Sequence, residues 1–175
     1  ILIISLVPIS IIGLIEDLRF EIKPKYRLFI ASISALFCVA YYTNPITQID
    51  YLPVKVILSI YPIGLLFSAF TIVGMVNAVN MIDGLNGFSG FQSTTMLGAI
   101  YYIASKVGNE EIAAICLLLI MAIIGFLLLN YPKGFIFMGD CGAYCIGFLI
   151  AAVVIKLHNE HSEVSSWAVL LIVFW

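Results

Sequence analysis

IAAICLLLIMAIIGFLLL, residues 112–129, is an unbroken apolar stretch without a charged side chain. A helix needs about 20 apolar residues to cross the hydrocarbon core of a bilayer, so this stretch lies near the short end of the required length. Open strands would leave backbone groups unpaired in lipid, and the stretch does not alternate as the strands of membrane barrels do. It therefore predicts a transmembrane helix.

The composition extends this prediction to the whole chain. Of the 175 residues, 63% are hydrophobic and 10% are charged, whereas soluble domains have about 45–50% apolar and about 25% charged residues. The 8 basic and 10 acidic residues leave a net charge of −2 and no basic surface for nucleic acid. These values exclude a soluble globular, disordered or collagen-like protein and leave a polytopic membrane protein.

Seven apolar runs are separated by short polar connections, without internal repeats or a linker. We therefore expect one all-α domain over residues 1–175, a polytopic transmembrane helical bundle. The first residue is Ile1, and the first run has neither a basic flank nor a small-residue cleavage site, so it is not a signal peptide. We expect the chain to be a fragment, truncated at both ends, of a longer bundle. The predicted helices are 1–15, 28–43, 54–76, 88–105, 112–129, 143–157 and 167–175.

The acidic residues fall in connections that alternate along the chain. If every run crosses the membrane once, the first, third and fifth connections lie on one side and bring Glu16, Asp17, Asp83 and Asp140 to one face. Most of the Lys and Arg residues lie in the same connections, which makes that face cytoplasmic by the positive-inside rule.

Three motifs on this face carry candidate chemistry. Adjacent Glu16 and Asp17 could form a metal site, a general base or a solvated helix end, and alone they favour the solvated end. Asn77, Asn80 and Asp83 are spaced by three, which aligns them on a helix, and the glycines that follow permit close approach of a polar ligand. The alternative for this second motif is an Asn/Gly-rich turn that closes a helix.

The third motif centres on Asp140, which lies between glycines just before an apolar run. It could be a helix N-cap or a ligand of a hard cation. Taken together, carboxylates on one face with few His residues and no thiolate cluster favour Mg²⁺ or Mn²⁺ over zinc. Because Mg²⁺ commonly works with phosphates, the three motifs indicate phosphoryl transfer.

The motifs NAVNMIDGLNGFSG (77–90) and FIFMGDCGAYCIGF (135–148), preceded by GLIEDL (13–18) and KYRL (25–28), resemble a known enzyme family. This family is the polyprenyl-phosphate N-acetylhexosamine-1-phosphate transferases of glycosyltransferase family 4. The resemblance implies the middle part of a roughly ten-helix membrane fold in the bacterial inner membrane. It also implies transfer of a sugar-1-phosphate from a UDP-sugar to undecaprenyl or another polyprenyl phosphate, with release of UMP. Such a reaction starts lipid-linked cell-envelope polysaccharides, and homodimerisation is left open.

The resemblance also assigns roles to individual residues. Asp140 matches the family's Mg²⁺ ligand, and Asp83 matches an essential active-site Asp that we assign both to catalysis and to the metal. Glu16 and Asp17 match the Asp pair credited with acceptor activation or substrate placement. Phosphate neutralisation is assigned to Lys25 or Arg27. The residues assigned to substrate binding are Asn77, Asn80, Asn86, Asn130, Phe137 and Lys25.

The chain departs from the family pattern at three places. Glu16 replaces the first Asp of the usual pair, so Asp17 is favoured as the retained group. Asn86 stands where many members have a second Asp, a difference that bears on donor choice. The spacing of Asn130, Tyr131 and Pro132 is tighter than in the muramoyl-pentapeptide branch, which favours the branch that initiates O-antigen, lipopolysaccharide or other surface polysaccharides.

The alternative function is an ion-coupled transporter, which requires its polar site near the membrane midplane rather than at helix ends. Outside the motifs, we expect His158 and His161 to lie in a solvated loop on the opposite side. We expect the four cysteines to be packing residues without disulfides, and Pro62 to kink a helix.

Overall fold

A computed structural model describes residues 1–174, which form helices joined by short connections and, within that range, no strand. The predicted all-α fold is confirmed. The helices are α1 (Leu2–Asp17), α2 (Pro24–Cys38), α3 (Leu52–Leu58), α4 (Tyr61–Ile82), α5 (Phe88–Lys106), α6 (Glu110–Asn130), α7 (Gly139–Glu160) and α8 (Ser166–Phe174). A π-helical turn, Val39–Thr43, continues α2. The predicted last run ends at Trp175, which lies outside the described residues.

Proline and side-chain caps define where several helices begin. Helices α2, α3 and α4 each have a proline at the first or second position, where the missing N–H has no intrahelical partner to lose. At the start of α6, the Asn109 side chain accepts a hydrogen bond from the Ile112 N–H at 3.0 Å. Glu110 and Glu111 in the first turn of α6 complement the helix dipole.

The single helix predicted over 54–76 is wrong. The run divides into α3 and α4 because Ile60 is extended, with φ −73° and ψ 107°, and Pro62 then begins α4 instead of kinking a longer helix. Helix α4 also continues to Ile82, so that Asn77 and Asn80 lie on it. Helix α7 is longer than predicted at both ends and begins at Gly139.

Four helical segments are long and apolar enough to cross a membrane: 24–43, α4, α6 and α7. Of the most apolar window of α7, 72% is buried inside the bundle, against 17% for α6. Helix α7 packs against α1, α4, α5 and α8, whereas α6 packs mainly on α5. The core therefore surrounds α7, and α6 presents most of its surface outward.

Two glycines bring backbones into direct contact with α7. A Cβ on Gly13 of α1 would lie 2.5 Å from the Cys141 Cα, and a Cβ on Gly147 of α7 would lie 2.7 Å from the Met75 carbonyl oxygen of α4. Small residues allow this close packing of membrane helices. As a result, the ends of α1 and α4 lie close to the first turn of α7.

The opposite end of α7 is closed by a buried histidine. His158 is 9% exposed, and its Nδ1 and Nε2 each lie 2.9 Å from a carbonyl oxygen, those of Val164 and Gln48. The prediction of a solvated His158 is therefore wrong, because two connecting loops fold over the ring. His161 is partly exposed, and its Nε2 lies 3.1 Å from the Asn109 amide nitrogen.

The cysteines match the prediction that they serve in packing. All four are free, and Cys38 and Cys116 are fully buried in the core. Cys145 on α7 contacts the Ser10 hydroxyl of α1 at 3.0 Å. The cysteines therefore contribute no covalent link to the fold.

Candidate active site

Asp17, at the end of α1, caps the first turn of α7. Its Oδ1 accepts a hydrogen bond from the Asp140 N–H at 2.7 Å, and its Oδ2 accepts one from the Cys141 N–H at 3.1 Å. These amides have no partner within their own helix, and the positive end of the helix dipole favours a carboxylate there. Gly139 makes the contact possible, because its φ is +71° and a Cβ would lie 2.8 Å from the Asp17 carboxylate oxygens.

Asp140 is held by α4 as well as by its own helix. The Asn80 amide nitrogen donates a hydrogen bond to Asp140 Oδ1 at 2.5 Å. Because Asp17 supplies the cap of α7, the Asp140 carboxylate does not close its own helix end. It remains available at the point where α1, α4 and α7 meet.

Asp83 lies at the C-terminal end of α4, beside the start of α5. The Ser89 hydroxyl donates a hydrogen bond to Asp83 Oδ1. Burial raises the pKa of Asp83 above its usual range, the Ser89 hydrogen bond partly offsets this rise, and the negative charge of Asp140 adds to it. The two carboxylates therefore repel each other across a partly buried space, and a bound cation would relieve this repulsion.

Glu16 has a different environment from Asp17, its neighbour in sequence. Glu16 Oε2 accepts a hydrogen bond from the Tyr144 hydroxyl at 2.7 Å, and its Oε1 lies 3.7 Å from Nη1 of Arg27. Tyr144, which is fully buried in α7, was not among the residues predicted from the sequence. Its position one helical turn after Asp140 was the available signal, since i and i+4 share a helix face.

An open cavity adjoins Glu16 at the connection between α1 and α2. It has a volume of about 600 Å³ and is lined by two cations, Arg19 and Lys23, and by two carboxylates, Glu16 and Glu21. Phe20 also lines it. The cavity therefore combines charged groups of both signs with apolar surface.

The polar stripe predicted on α4 separates in the structure. Asn80 and Asp83 take part in the contacts described above. Asn77 instead donates from Nδ2 to the Val73 carbonyl oxygen of its own helix at 2.8 Å. The structure therefore does not bring Asn77 to Asp140.

Asn130 joins two loops near the site. Its Oδ1 accepts a hydrogen bond from the Gly87 N–H at 2.5 Å, and its Nδ2 donates to the Ile136 carbonyl oxygen at 2.8 Å. The side chain is 4% exposed, so this position does not support the predicted contact with a nucleotide. Asn86, which is exposed, donates to the Pro132 carbonyl oxygen at 3.2 Å and adds a second link between the same loops.

The remaining predicted binding residues lie on the surface. Phe137 is 74% exposed, which leaves its ring free to stack on a ligand. Lys25 is exposed, and its Nζ lies 5.1 Å from the centroid of the Tyr26 ring. Neither side chain forms a hydrogen bond or ion pair with the carboxylates in the described part of the chain.

The carboxylates at this site suit a hard cation that takes some of its ligands from the protein and others from a substrate. Within residues 1–174, no three His, Cys, Asp or Glu side chains come together as a ready-made metal cage. Mg²⁺ commonly binds through one or two carboxylates, with waters and substrate phosphates completing its shell. Asp83 and Asp140 provide such a pair, and they lie at helix ends as a transferase site requires, rather than at mid-helix as a transporter site would.

The sequence is similar to those of a known protein family and of several curated proteins. A sequence model of the family described as "Glycosyl transferase family 4" matches residues 1–158. The phospho-N-acetylmuramoyl-pentapeptide-transferase of Lacticaseibacillus paracasei is 35% identical over 137 residues, which cover 78% of this chain and 41% of that protein. The protein of the same name from Lactobacillus helveticus is 32% identical over 98% of this chain and 54% of its own length.

The corresponding protein of Streptococcus pneumoniae is 27% identical over 95% of this chain and 51% of its own length. The chain thus spans about half the length, or less, of these curated relatives. Together with the apolar helices, these relatives indicate a bacterial multi-pass membrane protein.

Proposed function

The chain belongs to glycosyl transferase family 4, and on this premise we propose that the full-length protein transfers a sugar-1-phosphate from a UDP-sugar to a polyprenyl phosphate. The UDP-sugar loses UMP, and the acceptor phosphate oxygen forms the new diphosphate bond. The products are a lipid-linked diphosphate sugar and UMP.

The observation that carries this proposal is the meeting of three distant motifs at one end of the bundle. Asp17 contacts the first turn of α7, and Asn80 contacts Asp140 on that turn. The Asp83 carboxylate is close enough to Asp140 for its pKa to be raised by that charge. Carboxylates gathered in this way serve phosphoryl transfer, which depends on charge neutralisation and on placement of the reacting groups.

We assign a divalent cation, Mg²⁺ or Mn²⁺, to Asp83 and Asp140. When bound, such a cation neutralises charge on the diphosphate of the donor. The Asn80 amide would orient Asp140, and Asp17 would fix the helix that carries it. The cations Arg19 and Lys23 line the adjoining cavity together with Glu16 and Glu21, and we propose that they bind phosphate oxygens of the substrate there.

The donor is proposed to carry an N-acetylhexosamine. The relatives are named phospho-N-acetylmuramoyl-pentapeptide-transferases, and this name favours UDP-N-acetylmuramoyl-pentapeptide as the donor. The spacing around Asn130 was the feature that favoured the surface-polysaccharide branch, and Asn130 links two loops in the structure. We therefore propose the muramoyl-pentapeptide donor first and use UDP-N-acetylglucosamine as the comparison.

We also propose that the site faces the cytoplasm. The α1–α2 connection at this end of the bundle carries Arg19 and Lys23, Lys25 follows in the first turn of α2, and basic residues concentrate in cytoplasmic loops. A cysteine introduced at Glu21 should react with a membrane-impermeant thiol reagent only when the cytoplasmic side is opened. Labelling of intact cells at this position would overturn the assignment.

The activity is tested with the full-length protein purified in detergent. Each radiolabelled donor is mixed with undecaprenyl phosphate, with and without Mg²⁺, and label is measured in the lipid fraction. We expect Mg²⁺-dependent transfer that falls at least 100-fold in Asp140→Asn and Asp83→Asn, since each change removes one charge from the proposed metal site. Glu163→Gln, an exposed change at the far end of the bundle, is the matched control. Full activity in both Asp variants would overturn the site, and no transfer from either donor would overturn the function.

A further inference from the structure

Glu16, Tyr144 and Arg27 form one hydrogen-bonded cluster, which we call the Tyr144 cluster. The Tyr144 hydroxyl donates to Glu16 Oε2 at 2.7 Å and accepts from Arg27 Nη1 at 3.0 Å. The direct distance between Arg27 Nη1 and Glu16 Oε1 is 3.7 Å, which is too long for a good hydrogen bond. The tyrosine therefore bridges an acid and a base whose own contact is a long ion pair.

The direction of these hydrogen bonds is fixed by chemistry. A guanidinium only donates, and an ionised carboxylate only accepts, so the phenol must accept from Arg27 and donate to Glu16. The Tyr144 side chain is fully buried, and the Glu16 and Arg27 side chains are 11% and 25% exposed. Low exposure strengthens both bonds and holds the three groups in one arrangement.

Arg27 keeps unused donors in this arrangement. Only its Nη1 is engaged by the cluster, and its Nε is buried without a hydrogen-bond partner in the described part of the chain. A buried, unpaired guanidinium donor is costly unless a ligand satisfies it. Phosphate oxygens are well matched to the guanidinium fork.

The cluster lies beside the proposed site. Tyr144 follows Asp140 by one turn of α7, and Glu16 precedes Asp17, the cap of that helix. The phenol hydroxyl bridges the two charged groups, since it lies 3.0 Å from Arg27 Nη1 and 2.7 Å from Glu16 Oε2, whereas Arg27 Nη1 and Glu16 Oε1 are 3.7 Å apart.

We propose that Tyr144 is a positioning residue that bridges Glu16 and Arg27 and so fixes Arg27, with its unpaired Nε, for contact with a phosphate group of the substrate. This inference rests on the proposed transferase function and adds a residue to it. It also gives a reason for Glu16, since the extra methylene of glutamate, compared with aspartate, lets the carboxylate reach the Tyr144 hydroxyl. Tyr144 itself touches no substrate in this arrangement.

The test is a double-mutant cycle on turnover by the full-length protein. Tyr144→Phe removes only the hydroxyl and allows Glu16 to pair with Arg27 directly. We expect kcat/KM to fall about tenfold, the loss typical of one charge-assisted hydrogen bond. Glu16→Asp shortens the acid, so that it reaches neither partner. In the Glu16→Asp background, Tyr144→Phe should therefore change kcat/KM by less than twofold.

The cycle separates positioning from packing. If Tyr144 served only the packing of α7, the loss caused by Tyr144→Phe would be equal in both backgrounds, and this result would overturn the proposal. Tyr42→Phe is the matched control, because the Tyr42 hydroxyl is buried without a hydrogen-bond partner at the other end of the bundle. Its kcat/KM should equal that of the unmodified protein.

Two outcomes distinguish this inference from the proposed function. If the unmodified protein transfers label and Tyr144→Phe is equally active, the function stands and the positioning role fails. If the unmodified protein transfers no label from either donor, the proposed function fails and the positioning role with it. Should Tyr144→Phe not fold, Glu16→Asp alone breaks the same hydrogen bond from the other side, and kcat/KM unchanged in that variant would overturn the proposal.

Discussion

The carboxylate of Asp17 caps the helix that carries Asp140. It accepts the Asp140 N–H at 2.7 Å and the next N–H of α7 at 3.1 Å. The charge of Asp17 therefore stabilises the start of α7, and the Asp140 carboxylate on that helix is left to face the site. The two motifs are 123 residues apart in sequence, yet they act as one structural unit.

Loss of this cap should destabilise the start of α7. We expect Asp17→Ala to lower the free energy of unfolding by about 0.5–2 kcal/mol, the range measured for helix caps. Asp17→Asn should lose less, because its amide oxygen still accepts one of the two bonds. Thermal unfolding of the full-length protein in detergent measures both. Glu21→Gln removes an exposed charge from the same connection and should leave the unfolding temperature unchanged. Equal stability of Asp17→Ala and Glu21→Gln would show that the cap contributes nothing.

The close contacts at glycine give a second prediction. Gly13→Ala would push a methyl group against the Cys141 backbone and should cost about 1–3 kcal/mol through overpacking. Gly139→Ala adds a left-handed strain of about 1–2 kcal/mol to its contact with Asp17. Gly98→Ala is the matched control, because no atom lies within 4 Å of the added Cβ. It should stabilise α5 by about 0.5–1 kcal/mol. A stability gain in Gly13→Ala would contradict the direct contact of α1 with α7.

Because the pKa of Asp83 is raised, the effect of Asp83→Asn on the stability of the fold should depend on pH when no metal is added. A carboxyl whose pKa is higher in the folded than in the unfolded state begins to destabilise the fold as the pH rises through the unfolded value, and the penalty is complete above the folded value. Asp83→Asn has no such penalty. With a chelator present, the variant should therefore unfold at a higher temperature than the unmodified protein at neutral pH. This advantage should shrink as the pH falls toward the ordinary aspartate pKa of about 3.9. A constant difference across this range would mean that burial of charge does not cause it.

Asn130 should matter for stability although it is not exposed to a ligand. Asn130→Ala leaves the buried Gly87 N–H without its partner, at a cost of about 1–3 kcal/mol, whereas the Ile136 carbonyl, on a residue that is 39% exposed, can bind water instead. Asn86→Ala removes an exposed bond between the same loops and should cost much less. Limited proteolysis at Lys133 reports on loosening of this connection. Similar cleavage rates in the two variants would rule out a special role for the buried amide.

The far end of α7 gives a separate stability prediction. His158→Ala removes the ring that contacts the Gln48 and Val164 carbonyls, and we expect a loss of about 1–3 kcal/mol, chiefly from the buried Val164 oxygen, since the Ser166 hydroxyl still donates to the Gln48 oxygen at 3.4 Å. His161→Ala, in the next turn of the chain, should have a smaller effect because His161 is partly exposed. Thermal unfolding distinguishes the two, and an equal loss in both would contradict the burial of His158.

Scarcity of charge explains why much of the site could be predicted from the sequence. In a chain of apolar helices, Asp83 and Asp140 stand out, and Asn80 shares a face with Asp83 by helical spacing. The same reasoning grouped Asn77 with them, although its amide bonds to its own helix. Spacing on one helix defines a face but not the neighbour that this face meets.

The parts that escaped prediction depend on contacts between distant segments. Tyr144 resembles any core aromatic in an apolar run, and only its meeting with Glu16 and Arg27 gives its hydroxyl a role. His158 resembles a solvated loop residue until backbone carbonyls from two other segments surround it. Pro62 was expected to bend a helix, whereas the extended Ile60 before it ends one helix and lets the next begin. The order of residue types does not show which backbone carbonyl or hydroxyl group a side chain will contact.

The backbone contacts at Gly13 and Gly147 have a consequence for how this protein tolerates sequence drift. Because α1 and α4 touch α7 without an intervening side chain, the spacing of the three helices does not depend on the volume of any variable residue. The outward surface, which includes Ile4 and Phe70 at 63% and 67% exposed, can exchange one apolar residue for another without moving the carboxylates. Substitutions that suit a different lipid composition can therefore occur on the outside of the bundle without changing the arrangement of the carboxylates at its end.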